Sequence, residues 1–269
     1  MRKIAFRHFI RYFHNRKEFN KINWLKTLEI NFFLLPFNIA VKLPILIYGK
    51  CKLGVLTGEV KFNTTPYKGM LKIGITDPFR SVESISFVQI QGNLELGKQV
   101  VLRRGIHMHI VGLLRLEDYV YIGDNNSIFA SKSIVIQKGT RVGNNTALID
   151  TDFHYIVNTQ NYSIKNNSLP VEIGEQNWIG GNCIIKKGTK TPKGTIIAGP
   201  YSMTGKDYTN IIKEYSLIAG SPAKLLIENV RRINNTESEK ALYEHFKKTK
   251  EQYIVAQDAM EPFCLPTNE

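Results

Sequence analysis

The sequence predicts a mainly β fold, a solenoid of short parallel strands, and three observations carry that prediction. An apolar residue recurs every six positions, at Leu96, Leu102 and Met108, and again at Leu116, Ile122, Ile128 and Ile134. After a two-residue adjustment the frame resumes at Val142 and Leu148, then at Ile173, Ile179, Ile185 and Ile197. Glycine follows the aliphatic residue at Gly97, Gly123, Gly143, Gly174 and Gly180. A period of six fits neither a helix at 3.6 nor a long strand at 2. It fits a coil of three short flat sides, with the aliphatic inside and Gly or Asn turning each corner at positive φ. Three hexads make a coil of about 18 residues, so residues 90–203 hold about five coils and one excursion. Stacked coils bury a continuous column of Val, Ile and Leu.

Residues 1–85 show no clear repeat and are expected to form a partly helical cap or extension. Their longest apolar run, Ile30–Tyr48, contains Asn31, Pro36, Asn38, Lys42 and Pro44. Two prolines and a charge rule out a spanning helix, and no small-residue cleavage site follows the run as in a signal peptide. In Met1–Lys26, Lys and Arg alternate with Phe9, Tyr12, Phe13, Phe19 and Trp24. That pattern suits a peripheral membrane contact, with cations at lipid phosphates and aromatic rings in the interface. It equally suits a segment packed on the same chain or a sister copy.

Residues 86–227 form the expected β-helix, interrupted by the loop 149–170. A polar stretch of that length expelled from a regular solenoid is a functional or a disordered loop. It carries His154, with Asp150 and Asp152 close by. A neutral imidazole near pH 7 suits proton abstraction, and a carboxylate on its other nitrogen would fix the tautomer. Cys183 sits inside a hexad two residues before an inward isoleucine, the setting of a small core residue rather than a nucleophile. His107 and His109 flank Met108 on one outer strand face, and no third ligand lies nearby, so no metal is expected. Residues 228–269 are charged, with a helix expected over Glu237–Gln257.

The 36 Lys and Arg exceed the 23 Asp and Glu by thirteen. Such a chain favours an anionic partner. Lys186, Lys187, Lys190, Lys193, Lys206 and Lys224 gather late in the repeat, followed by Arg231 and Arg232. No nucleic-acid-binding motif accompanies the charge, so a nucleic acid is not the expected partner. Three distant cysteines make no disulfide framework, which fits a reducing, cytoplasmic setting.

Four segments carry a family resemblance: the hexad run, Asp150–His154, Asn177–Asn182 with Lys187–Thr189, and Ser216–Lys224, which includes Ala-Gly-Ser-Pro-Ala-Lys. Together they resemble the hexapeptide-repeat, left-handed β-helix acyltransferases. The likeness is to the branch that O-acetylates sugars in bacterial capsule, lipopolysaccharide and nodulation-factor pathways. The resemblance implies a left-handed parallel β-helix and an acetyl-CoA donor. It implies direct attack of a sugar hydroxyl with His154 as general base and Asp152 as its helper. It places Trp178, Asp150, Asn177 and Gly180 at the acyl and substrate cleft, with a backbone N–H near Gly180 at the oxyanion. It gives Ala198, Lys206, Ala219 and Lys224 as cofactor contacts. A homotrimer with sites between neighbouring prisms follows from the same likeness. The chain departs from the family pattern at Pro200 and Gly205, which predicts a displaced last coil. An amino-sugar N-acetyltransferase and a non-catalytic scaffold are the alternatives.

Overall fold

The computed structural model describes residues 21–76 and 84–265. Seven successive coils stack into a three-sided parallel β-helix. The first coil is β1 (Ile45–Ile47), β2 (Cys51–Leu56) and β3 (Glu59–Phe62). The second is β4 (Leu71–Ile75), β5 (Ser86–Ile90) and β6 (Asn93–Leu96). The third is β7 (Val100–Arg103), β8 (His107–Ile110) and β9 (Leu113–Leu116). The fourth is β10 (Tyr121–Ile122), β11 (Ser127–Ala130) and β12 (Ser133–Ile136), and the fifth is β13 (Arg141–Val142), β14 (Ala147–Ile149) and β15 (Val171–Ile173). The sixth and seventh keep two named strands each, β16 (Trp178–Ile179) with β17 (Ile184–Ile185), and β18 (Ile196–Ile197) with β19 (Met203–Thr204). Single bridges at Lys190 and Asp207 replace their third sides. Then β20 (Leu217–Ala219) joins the first sheet, and β21 (Lys224–Ile227) turns back antiparallel on it.

The repeat therefore begins at Ile45 rather than at residue 86. Its upstream coils escape a periodicity search because the second coil is split by the long connection between β4 and β5. Coil length also departs from eighteen. Leu102, Ile122 and Val142 stack in register at twenty-residue steps, whereas Ile179 and Ile197 are eighteen apart. The extra two residues lengthen β11 and β12 so that each points two side chains inward: Ile128 and Ala130, then Ile134 and Ile136, all fully buried.

The corners correct a second expectation. Positive φ falls on Gly105, Asn125, Asn145, Asn182 and Tyr201, one per coil at the same corner, and not on the glycines that follow the aliphatics. Those glycines answer a different need. A Cβ on Gly143 would lie 2.5 Å from Gly181 N, and one on Gly180 would lie 2.5 Å from Gly199 N. Only glycine lets successive coils approach this closely. The departures at Pro200 and Gly205 do not displace the last coil, since β19 pairs in register with β17, Ile185 opposite Thr204; beyond it Tyr208 is buried, plugs the core and donates its hydroxyl to Ala223 O at 3.1 Å.

The N-terminal end is closed by α1 (Trp24–Leu34) and α2 (Phe37–Ala40). Asn23 caps α1 by accepting from Lys26 N at 3.2 Å. The first strand would otherwise leave its backbone groups unpaired. Two polar side chains of α1 pair them instead. Asn31 donates to Ile45 O at 2.7 Å and accepts from Ile45 N at 3.2 Å, and Thr27 Oγ1 accepts from Ile47 N at 3.0 Å. Both side chains are completely buried. The opposite face of α1 is apolar and open to solvent. At the other end of the chain, α3 (Thr236–Lys248) is shorter than the expected 237–257 and is N-capped by Asn235, which accepts from Glu237 N and Ser238 N. A short α4 (Met260–Cys264) follows it.

Candidate active site

The loop leaves the helix after β14, at the corner between the second and third sheets. Its root is fixed by Asp150, which is fully buried. The carboxylate accepts from the backbone N–H groups of Ser131, Lys132 and Ser133, each at 2.7 Å. Asp150 is therefore a structural anchor between coils and not a cleft residue. Three amides from the preceding coil hold both its oxygens inside. A bridge between Thr151 and Ser168 closes the neck of the loop. Phe153, at φ 62°, sets its ring edge-on to Phe129 at 4.9 Å, and Phe129 stands edge-on to His109 at 4.7 Å. His109 in turn lies 2.9 Å from Gln89 Nε2.

His154 follows and is exposed. Its backbone N–H donates to Asp152 O at 2.7 Å, while its ring makes no hydrogen bond among the described residues. The Asp152 carboxylate is not turned to the imidazole. It pairs with Lys187 Nζ at 2.6 Å, and Lys187 also donates to Asn166 O at 3.2 Å. The pair ties the loop to the sixth coil, so the helper role expected of Asp152 becomes one of placing the loop. His154 faces a cleft of about 360 Å³ that it shares with Asp152, Ile156, Asn158, Lys165 and Lys187, so the two residues expected together do line one cleft.

A second, apolar groove of about 600 Å³ runs along the corner between the first and second sheets. Trp178, Gly180, Asn182, Ala198, Pro200 and Leu217 line it. Trp178 and Gly180, which the resemblance gives as cleft residues, and Ala198, which it gives as a cofactor contact, all line this groove. The groove is apolar because strand pairing stacks Trp178, Ile196 and Leu217 on the outer face of three successive coils. Asn177 is excluded from it. It is buried, donates to Pro192 O at 2.8 Å and accepts from Thr191 Oγ1 at 2.8 Å. The Gly180 N–H is engaged by Ile197 O at 2.8 Å, so it is no open oxyanion donor.

Ala219 stacks one coil beyond Ala198, and Lys224 pairs opposite it across β20 and β21. Ala198, Ala219 and Lys224 thus gather at one end of the groove. Lys206 does not join them; it lies beyond β19, over the Tyr208 ring at 5.2 Å. Cys183 is buried, and burial raises its thiol pKa, which removes it as a nucleophile.

Arg232 was legible in the sequence only as charge, without a place. Its guanidinium lies over the Trp178 ring at 5.1 Å. It arrives on the C-terminal tail, which crosses the corner at Gln176 and Tyr215 through Arg231. Among the described residues no group of three or more His, Cys, Asp or Glu is gathered for a metal.

Stacked hexads with an expelled histidine loop and an apolar corner groove define a hexapeptide-repeat parallel β-helix. Known proteins of related description follow from it. The chain is similar to WcaF, named as a colanic acid biosynthesis acetyltransferase, of Escherichia coli (strain K12), at 24% identity over 136 residues, 51% of this chain and 70% of that protein. The Shigella flexneri protein of the same name matches equally. No family model matches the chain. Among solved structures, the polySia-specific acetyltransferase NeuO superposes with TM-score 0.43 at 19% identity, covering 79% of this chain and 91% of NeuO. The acetyl-CoA complex of the hexapeptide-repeat acetyltransferase VCA0836 from Vibrio cholerae O1 biovar eltor gives TM-score 0.35 at 14% identity, covering 81% and 85%. The fold rests on the strand register itself rather than on these superpositions.

Proposed function

We propose that the protein is an acetyltransferase of the left-handed β-helix, hexapeptide-repeat family, moving acetyl from acetyl-CoA to a sugar hydroxyl of a bacterial surface polysaccharide. The observation that carries the reading is His154, exposed and with no ring hydrogen bond among the described residues, on the loop that interrupts an otherwise regular solenoid. The similarity to WcaF supports the substrate class, as that protein is named for colanic acid biosynthesis. The imidazole takes the proton of the acceptor hydroxyl as its oxygen attacks the thioester carbonyl. The tetrahedral intermediate collapses, the C–S bond breaks, and CoA leaves as the thiol with the proton returned by the imidazolium. No acyl-enzyme forms. The donor's pantetheine arm lies in the Trp178 groove, with its phosphates toward Lys224.

In one chain the His154 loop and the Trp178 groove border opposite edges of the second sheet. The loop also exposes Phe153, Tyr155, Ile156, Tyr162 and Ile164, with Tyr162 81% exposed. These facts favour a homotrimer in which the loop of one prism reaches the groove of its neighbour. The test is thermal unfolding with and without acetyl-CoA, followed by product analysis. At 100-fold over the dissociation constant the ligand adds about 2.7 kcal/mol. No shift at millimolar acetyl-CoA would leave a non-catalytic scaffold. A product resistant to mild base would be an amide and would make the acceptor an amino sugar.

A contact with the inner membrane surface belongs to the same proposal. No described helix is long and apolar enough to cross a membrane. Helix α1 is apolar on both faces, however: Ile30 and Leu34 join Thr27 and Asn31 in facing the core, while Leu25, Leu28, Phe32 and Phe33 face solvent, with Phe37 of α2 beside them. Lys21, Lys42, Lys50 and Lys68 are exposed on the same cap. Phe9, Tyr12, Phe13 and Phe19 lie outside the described residues. An apolar face rimmed by lysines suits an anionic lipid surface. The variant Leu25→Gln/Phe33→Gln/Phe37→Gln should float at least about tenfold less with vesicles of phosphatidylcholine and phosphatidylglycerol. Equal flotation of variant and parent would refute the contact.

A further inference from the structure

Two arginines meet at the outer face of the first sheet, Arg141 of β13 and Arg232 of the C-terminal tail. Arg141 is the strand neighbour of Trp178, and the Arg232 guanidinium lies over the Trp178 ring at 5.1 Å. Arg141 Nε is buried without a hydrogen-bond partner among the described residues, and its guanidinium leans on Tyr121 at 5.3 Å. Neither arginine makes an ion pair among the described residues. Two coils upstream the contrast is plain: Arg103 pairs with Asp124 at 3.0 Å and donates to the Tyr121 hydroxyl at 2.7 Å. Burial first, and then the nearby Arg141 charge, pull the Arg232 pKa below its ordinary value, with Glu239 opposing. Two half-buried, mutually repelling guanidinium groups beside a ligand groove are a standing cost that a bound anion removes.

The groove has a direction. Ala198, Ala219 and Lys224 lie at its end toward β21, and Arg141 lies on the other side of Trp178, toward the earlier coils. A donor with its phosphates at the first end leaves the arginines for the second reactant. We propose that Arg141 and Arg232, both beside Trp178, bind an acidic group of the acceptor, a carboxylate or phosphate ester, so that the enzyme selects an acidic glycan. The proposal rests on the acetyl-transfer reading and narrows its acceptor.

The chain has two tryptophans, so Trp24→Phe leaves Trp178 as the sole fluorescent reporter. That protein, with CoA bound, is titrated with tetragalacturonate and with neutral maltotetraose. The acidic tetramer should change the Trp178 emission, and maltotetraose should not. Adding Arg141→Gln or Arg232→Gln should weaken the acidic tetramer about tenfold while leaving CoA affinity within about twofold. Equal response to both tetrasaccharides, no response to the acidic one, or unchanged affinity in both arginine variants would overturn the proposal. A parallel loss of CoA affinity would assign the arginines to donor phosphates and overturn it too. Failure of CoA to bind the Trp24→Phe parent would sink the acetyl-transfer reading itself, with the acceptor proposal resting on it.

Discussion

Replacing His154 with alanine lowers acyl-transfer turnover by about 10²- to 10⁴-fold, the usual contribution of a positioned general base. The same change should leave folding stability within about 0.5 kcal/mol, since the side chain is exposed and its ring bonds to nothing among the described residues. Acetyl-CoA binding should persist, because the Trp178 groove does not include His154. Comparing turnover with the ligand-induced shift in melting temperature separates these effects. Full turnover in His154→Ala would remove the base from the mechanism.

The largest expected loss of stability belongs to Asp150, two residues from the start of the candidate chemistry. Asp150→Ala leaves three N–H groups, those of Ser131, Lys132 and Ser133, without an acceptor at a buried corner. Hydrogen bonds to a charged group are the stronger kind, and orphaned donors carry a desolvation cost, so the expected destabilisation is about 3–5 kcal/mol. Asp150→Asn should recover part of it, since one side-chain oxygen still accepts while the amide meets a second donor head-on. Urea unfolding measures both. A loss below about 1 kcal/mol in Asp150→Ala would contradict the anchor. Activity per folded molecule should fall far less than in His154→Ala, which separates anchoring the loop from performing the reaction.

These two residues show what a linear reading captures. The inward series Ile122, Ile128, Ile134 repeats at a fixed short interval, so the solenoid is legible locally. The expelled histidine is legible for the same reason, as a break in a regular pattern. Asp150 is misread because its partners stand seventeen to nineteen positions upstream and become neighbours only when coils stack. Nothing in its own segment distinguishes a buried acceptor from a catalytic acid. Asn177 fails alike, drawn inward by Thr191 and Pro192 of the next coil. Asp152 lies close to His154 in sequence, yet Lys187 claims its carboxylate from the sixth coil. Arg232 is the extreme case, since a tail must double back before its charge has any address. Long-range stacking, rather than local propensity, decides all four.

The side-chain seal made by Asn31 and Thr27 on β1, and the reversed β21 at the far end, have a consequence for how this chain can lengthen or shorten. Among the described residues, α1 side chains cover the β1 end of the nine-stranded sheet and β21 runs antiparallel at the other, which works against continuing the parallel ladder into another molecule. On this sheet a change in the number of coils is best accommodated in the middle. A duplicated or deleted twenty-residue unit there leaves both ends in place. Losing the α1 cover would expose the backbone groups of β1 as an open edge for another strand.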